Sequence, residues 1–217
     1  MVLFVPNFFK IEGPEIGKDS VFGTIIFLTL ALLILAQNMA IAKPFNLNQW
    51  IQNNRTLLKP PVGNKNLYVD SGDYIVMIVA GPNARKDYHY NETEELFYQL
   101  EGSIKVIIQE EGKRKEMELH AGDMYLHPAK IPHSPVRSEG SIGLVIERKR
   151  AGLGFTDGLL WHCEACNHKL HEVYFELHNI EKDFLPHFQS FYNSELLRTC
   201  QKCGTVMETD ARFLEKK

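Results

Sequence analysis

Between Asp73 and Glu147 the chain is a succession of short β-prone runs separated by turn residues, with no helical pattern between them. Residues 73–80 are a β-branched apolar run bounded by Gly72 and by Gly81-Pro82. Residues 95–100 are expected to pair with 104–109 across the tight turn Glu101-Gly102-Ser103. A second hairpin is expected at Glu110-Glu111-Gly112, with 115–120 returning, and 124–127 and 142–147 complete the set. Short strands at close, regular spacing argue for an all-β sandwich or barrel. A length of 217 residues accommodates one such domain and a smaller appendage.

Two of these segments carry chemistry. Residues 81–102 contain His89 and Glu95, and residues 122–137 contain His133 and Arg137. Two histidines and one carboxylate, each brought in on its own short strand, are the donor set that leaves a non-haem iron(II) with open positions for a chelating substrate and for dioxygen. Alternation places Arg85, Asp87 and His89 on one face, and His133, Pro135 and Arg137 on another. Glu147 closes an apolar run, so its carboxylate either emerges at the strand end or points inward, where it requires a cationic or hydrogen-bonding partner. Among the remaining histidines, His127, just before Pro128, is the nearest rival as a ligand.

Composition narrows the partners. With 44% hydrophobic and 24% charged residues and a net charge of −3, the chain is neither disordered nor built for nucleic acid. Lys113-Arg114-Lys115 lies beside Glu110, Glu111 and Glu116 and reads as a solvated hairpin.

The first 42 residues differ in kind from the rest. Residues 21–36 are almost entirely apolar, near the lower limit for a membrane-spanning helix. Three readings stand: translation from upstream of a true start at Met39, a membrane anchor, or a signal peptide cleaved near Ala40-Ile41-Ala42. The first implies a soluble cytoplasmic protein and the others a tethered or exported one. After Pro44, Asn46 is expected to cap a helix over 47–53 that Lys59-Pro60-Pro61 ends.

Cys163-x-x-Cys166 and Cys200-x-x-Cys203 have the two-knuckle spacing of a tetrahedral four-thiolate site, and they use every cysteine in the chain. Two disulfides are the alternative. The spacing does not distinguish iron from zinc. Between the pairs, 179–189 is expected to be partly helical, with Pro186 limiting it.

Gly81, His89, Glu95 and Gly102, followed by Gly122, Pro128 and His133, resemble the two consecutive motifs of the cupin superfamily. That resemblance implies a double-stranded β-helix, the jelly-roll barrel, with metal in its mouth. The superfamily's usual second histidine is replaced by Asn91, the usual glycine by Lys130 and the usual asparagine by Arg137. Within the superfamily, Arg85-Lys-Asp-Tyr-His89, Glu94-Glu95-Leu-Phe-Tyr-Gln-Leu, His133-Ser-Pro-Val-Arg137, Leu144-Val-Ile-Glu147 and Leu58-Lys-Pro-Pro-Val-Gly63-Asn64 resemble the 3-hydroxyanthranilate 3,4-dioxygenase family. The resemblance runs from about Pro44 into the C-terminal region and takes in the cysteine pairs of its bacterial form.

It implies a catalytic Fe2+ held by His89, Glu95 and His133, with 3-hydroxyanthranilate and O2 as substrates and no organic cofactor. Arg137 would pair with the substrate carboxylate, and Glu147 would accept a hydrogen bond or proton from its amine or hydroxyl. Arg85 would stand beside the oxygen. The product would be 2-amino-3-carboxymuconate semialdehyde, which closes to quinolinate, a precursor of NAD. Cys163, Cys166, Cys200 and Cys203 would hold a second iron or zinc, and the protein would be a homodimer. The implied organisation is a leader over 1–38, a catalytic barrel over 39–158 and a rubredoxin-like metal-binding region over 159–217. A non-oxidative metal-binding cupin, either an isomerase or a binding module, is the alternative, as is a membrane-tethered redox protein with the barrel as scaffold.

Overall fold

The computed structural model describes residues 43–59, 63–83, 85–179 and 182–214. The leader, with its apolar run over 21–36, and the Pro60-Pro61 stop lie outside the described residues. The chain divides into two compact units, 1–50 and 51–217, and of the first only 43–50 are described. Among the described residues, no helix is long and apolar enough to cross a membrane.

Helix α1 (Leu47–Asn54) begins where expected. Asn46 Oδ1 accepts the Gln49 N–H at 2.9 Å, satisfying one of the donors that a first helical turn leaves free. The strands follow as β1 (Asn64–Asn66), β2 (Tyr74–Ala80), β3 (Asp87–Asn91), β4 (Glu95–Glu101), β5 (Ser103–Glu110), β6 (Lys113–His120), β7 (Met124–His127), β8 (His133–Arg137) and β9 (Ile142–Arg148). Then come β10 (Asp157–His162), β11 (Lys169–Phe175), α2 (Phe184–Asn193) and α3 (Glu195–Arg198).

One sheet has the order β1-β2-β9-β4-β7 and the other β11-β10-β3-β8-β5-β6, antiparallel throughout. The pairs β2·β9, β3·β8, β4·β7 and β5·β6 nest one inside another and alternate between the sheets. That nesting is the jelly-roll topology, so the expected barrel is observed. The apolar core between the sheets holds Met77, Phe97, Ile104, Val106, Leu119 and Val145.

Two local expectations need correction. β4 and β5 do not form a hairpin: β4 pairs with β7 and β9, while β5 pairs with β6 and β8. Gly102, at φ +67°, turns the chain out of one sheet and into the other, and a Cβ there would sit 3.2 Å from the Ser141 Cα. A turn sequence announces a reversal without naming the edge that the next strand joins. The β5–β6 hairpin does form. Glu110 faces Lys113, and Glu111 (φ 50°) and Gly112 (φ 74°) make a two-residue loop with positive φ at both positions, the type I′ pattern.

The second correction concerns Pro186, which does not limit its helix. It occupies the first turn of α2, after Asp183 and Phe184, where a missing N–H costs no hydrogen bond.

The expected boundary at 158/159 falls inside β10, whose residues pair with β3 on one side and β11 on the other. The cysteine-bearing region is therefore built onto the barrel's own sheet. Leu159 and Trp161 pack with Phe191, Tyr192 and Met207 into a second cluster. Trp161 stacks on Phe191, with ring centroids 4.3 Å apart. Burial of side chains this large contributes roughly 1.5–3 kcal/mol each, which anchors α2 beside the barrel.

Candidate metal centre and substrate site

Strand register places the site. Across one sheet, Ile75, Glu147, Glu95 and His127 stand in a single row. Across the other the row is Leu159, His89, His133 and Ile108. A ligand atom from each of His89, Glu95 and His133 lies within 4.8 Å of the others, and all three residues are buried. Alternation explains the inward aim of each one, as expected from the sequence.

Charge and hydrogen bonding suit this trio to a divalent metal. Burial alone would raise the Glu95 carboxyl. His133, His89 and His127 outweigh it and bring it down to about 2, so it is ionised. The His133 Nε2 lies 3.0 Å from Glu95 Oε2. Burial lowers His89, which favours the neutral imidazole that ligation requires. Its Nε2 meets Asp157 Oδ1 at 2.8 Å, the carboxylate–histidine arrangement that orients metal ligands. Asn91, standing where a further histidine is usual, donates from Nδ2 to Glu95 Oε2 at 3.4 Å. Two imidazoles and a carboxylate brought this close together fit a non-haem iron(II) with open positions.

His127 is not free to join them. Its Nδ1 lies 3.0 Å from the Tyr125 hydroxyl and its Nε2 2.8 Å from the Ile131 carbonyl, so both ring nitrogens are engaged. Burial, together with the His133 charge, lowers its pKa to about 4, and it stays neutral.

Arg137 is 3% exposed, and its Nε and Nη1 have no hydrogen-bond partner among the described residues. Burial pushes the guanidinium down to about 10, Glu95 opposing and Arg85 reinforcing the shift. A buried cation without a counterion calls for an anionic ligand. Gly143 leaves it room: a Cβ there would lie 2.9 Å from Arg137 Nη1 and 3.0 Å from Gln99 Oε1.

Glu147 points inward, at 3% exposed. Burial and Glu95 raise its carboxyl to about 7, against the pull of Arg150, whose Nη1 donates to Oε2 at 2.8 Å. Arg85 pairs with Asp87 through both Nε and Nη2. Both residues line a cavity of about 790 Å³ together with Ile75, Met77, Arg150 and Phe184. The Phe184 ring meets His89 edge-on at 5.2 Å, so α2 supplies an aromatic wall beside the donors.

The four cysteines converge separately. Their sulfurs lie within 4.8 Å of one another, with Cys163 and Cys203 at 3.6 Å and Cys166 and Cys200 at 3.6 Å. Those gaps are far beyond a disulfide's ~2.05 Å, and four sulfurs this close together have the donor set of a tetrahedral thiolate site. The two knuckles repeat each other. Asn167 N donates to Cys163 O at 2.9 Å and Gly204 N to Cys200 O at 2.9 Å, both with positive φ, 57° and 75°. Asn167 also exchanges side-chain hydrogen bonds with Gln109 at 2.7 and 3.0 Å, tying its knuckle to β5.

Asp157, Arg150 and Phe184 were missed in the sequence as parts of the site, whereas Asp87 was placed on the His89 face without its pairing to Arg85. Asp157 opens an otherwise apolar strand, a detectable if weak signal, whereas Arg150 is indistinguishable from its neighbours in the run Glu147-Arg-Lys-Arg150.

A jelly-roll barrel with two histidines and a glutamate converging inside it is a cupin with a facial-triad donor set. The model of the 3-hydroxyanthranilic acid dioxygenase family matches residues 39–192. The 3-hydroxyanthranilate 3,4-dioxygenase of Xanthomonas campestris pv. campestris (strain B100) is 52% identical over 170 residues, 78% of this chain and 95% of its own. The Burkholderia cenocepacia enzyme of the same name is 47% identical over 169 residues, 77% of this chain and 94% of its own. The chain belongs to this dioxygenase family. Among solved structures, a cupin-2 domain containing protein from Shewanella frigidimarina is similar over 48% of this chain and 94% of its own, at 21% identity and a TM-score of 0.40.

Proposed function

We propose that this protein is a ring-cleaving dioxygenase that converts 3-hydroxyanthranilate and O2 to 2-amino-3-carboxymuconate semialdehyde, the open-chain precursor of quinolinate and so of NAD. Membership of the family carries the reaction class and sets aside a non-oxidative cupin. The observation that best supports the substrate is Arg137, a buried guanidinium with two unpartnered nitrogens on β8, the strand that also carries His133. A planar guanidinium matches a carboxylate bidentately, and 3-hydroxyanthranilate carries one.

His89, Glu95 and His133 would hold iron(II), which supplies the site at which an aminophenol and dioxygen meet. Arg137 fixes the ring by its carboxylate, which aims the hydroxyl and amine toward the trio and makes the encounter a positioned one. Glu147, with a carboxyl near neutrality, accepts a proton from the substrate hydroxyl or amine as it binds. Arg85, held by Asp87, presents positive charge to negative charge that develops on oxygen. Phe184 closes one wall and limits water.

At the cysteine knuckles we place a structural iron or zinc, the donor set fitting either. Cysteines committed to a metal rather than to disulfides accord with a reducing compartment, the cytoplasm. A homodimer accords with exposed Met124 and Leu126 on the outer face of β7. Anaerobic loading with iron(II), followed by 3-hydroxyanthranilate and air, tests the function. Growth of the semialdehyde absorbance is expected, and unchanged substrate in the loaded protein refutes it.

A further inference from the structure

Resting on the ring-cleaving reading, we propose that Arg150 is a positioning residue that couples the ligand His89, through Asp157, to the substrate-facing carboxylate Glu147. His89, Asp157, Arg150 and Glu147 are 5%, 0%, 2% and 3% exposed and form one unbroken line of contacts. His89 Nε2 meets Asp157 Oδ1 at 2.8 Å. The same oxygen accepts from Arg150 Nε at 3.1 Å and Nη2 at 2.9 Å, and Oδ2 accepts from Nε at 2.9 Å. At the other end of the guanidinium, Nη1 donates to Glu147 Oε2 at 2.8 Å. The backbone carbonyl of Arg148 at 2.9 Å and Thr93 Oγ1 at 3.3 Å hold that nitrogen in place.

The geometry sets two things at once. Asp157 takes one ring nitrogen of His89, so the orientation of the ring toward the trio follows from where Arg150 puts that carboxylate. Arg150 also engages one oxygen of Glu147, leaving Oε1 without a partner among the described residues and free for the substrate. A guanidinium is a rigid fork, so a shift at either end moves the other. In this proposal Asp157 and Arg150 do not handle the ring or the ion themselves. They act through His89 and Glu147.

Arg150→Lys keeps the charge but loses the fork, and Asp157→Asn keeps the volume but loses the charge. Both are made in the full chain and titrated with Mn(II), a probe that prefers nitrogen and oxygen donors to thiolates, with the free ion read by paramagnetic resonance. Both variants are expected to weaken Mn(II) affinity by about 10–100-fold. At saturating iron(II), Arg150→Lys should in addition lower kcat at least tenfold while KM moves less than threefold. Melting that falls while Mn(II) affinity and kcat stay within twofold of the parent would make this a plain structural salt bridge and overturn the proposal. Should Arg150→Lys not fold, Asp157→Asn decides: wild-type Mn(II) affinity overturns it and a tenfold loss sustains it. Metal affinity needs no turnover, so a parent chain that binds Mn(II) but cleaves no ring defeats the functional reading and leaves this coupling to be judged by itself.

Discussion

Arg137→Met separates two consequences of one buried charge. The guanidinium is 3% exposed and lacks partners at Nε and Nη1, and burial brings it from 12.5 to about 10. At about 1.4 kcal/mol per pH unit, that corresponds to roughly 3 kcal/mol lost from folding stability at neutral pH. Methionine fills similar volume without charge, so the substrate-free variant should gain about 1–3 kcal/mol, with a Tm rise of about 2–4 °C for each. Substrate binding should move the other way. Loss of one partner of a buried charge pair costs roughly 2–5 kcal/mol, so KM for 3-hydroxyanthranilate should rise at least about 30-fold. If the anchor acts equally in ground and transition states, kcat holds. 2-Aminophenol, which lacks the carboxylate, provides the control, because its turnover should be nearly indifferent to the substitution. Scanning calorimetry and steady-state kinetics on both substrates measure all of this. A KM within threefold of wild type, or a variant that melts lower, refutes the anchoring argument.

Three other variants test what the site residues do. His89→Ala should abolish Mn(II) binding at the barrel and ring cleavage while the cysteine site keeps its metal, as metal analysis would show; full activity would remove His89 from the donor set. Glu147, raised from 4.5 to about 7, should make kcat/KM climb as pH rises through about 7. Glu147→Gln should flatten that limb, and an unaltered profile counts against its role as base. The same raised carboxyl stabilises the metal-free fold fully below about pH 4.5, and that contribution is lost as pH rises through about 7. Glu147→Gln should therefore melt higher than wild type at pH 8. Cys163→Ser with Cys166→Ser should cost about 3 kcal/mol or more, about 6–12 °C in Tm, with kcat near wild type in whatever remains folded. Loss of turnover in a chain that melts normally would give those thiolates a catalytic part.

How much of this could be read beforehand differs from residue to residue. His89, Glu95, His133 and Arg137 were legible because strand alternation and motif spacing are local, and the register then sets His89 beside His133 in one sheet and Glu95 in the other. The inward aim of Glu147 stayed open, because a run apolar on both faces gives no parity signal. The partners of β4 were misread for a related reason: hydrogen-bond pairing is a property of the closed barrel, and the turn at Gly102 looks the same whether the chain folds back or crosses over. Asp157 and Arg150 lie beyond the two motifs and meet His89 and Glu147 only when β10 joins β3. Lys130, where a glycine is usual, keeps a left-handed backbone at φ 67°, with its N–H donated to the Asn91 carbonyl at 2.8 Å. The loop geometry survives, and the substitution bears the strain.

β3 and β8 meet at a single residue pair, His89 with His133, while Glu95 sits on the opposite sheet. Anything grasped by all three is a rivet through both walls of the barrel, set where the ladder between those strands is thinnest. An ion there favours the closed form by mass action. A chain without it should therefore open first where β3 meets β8.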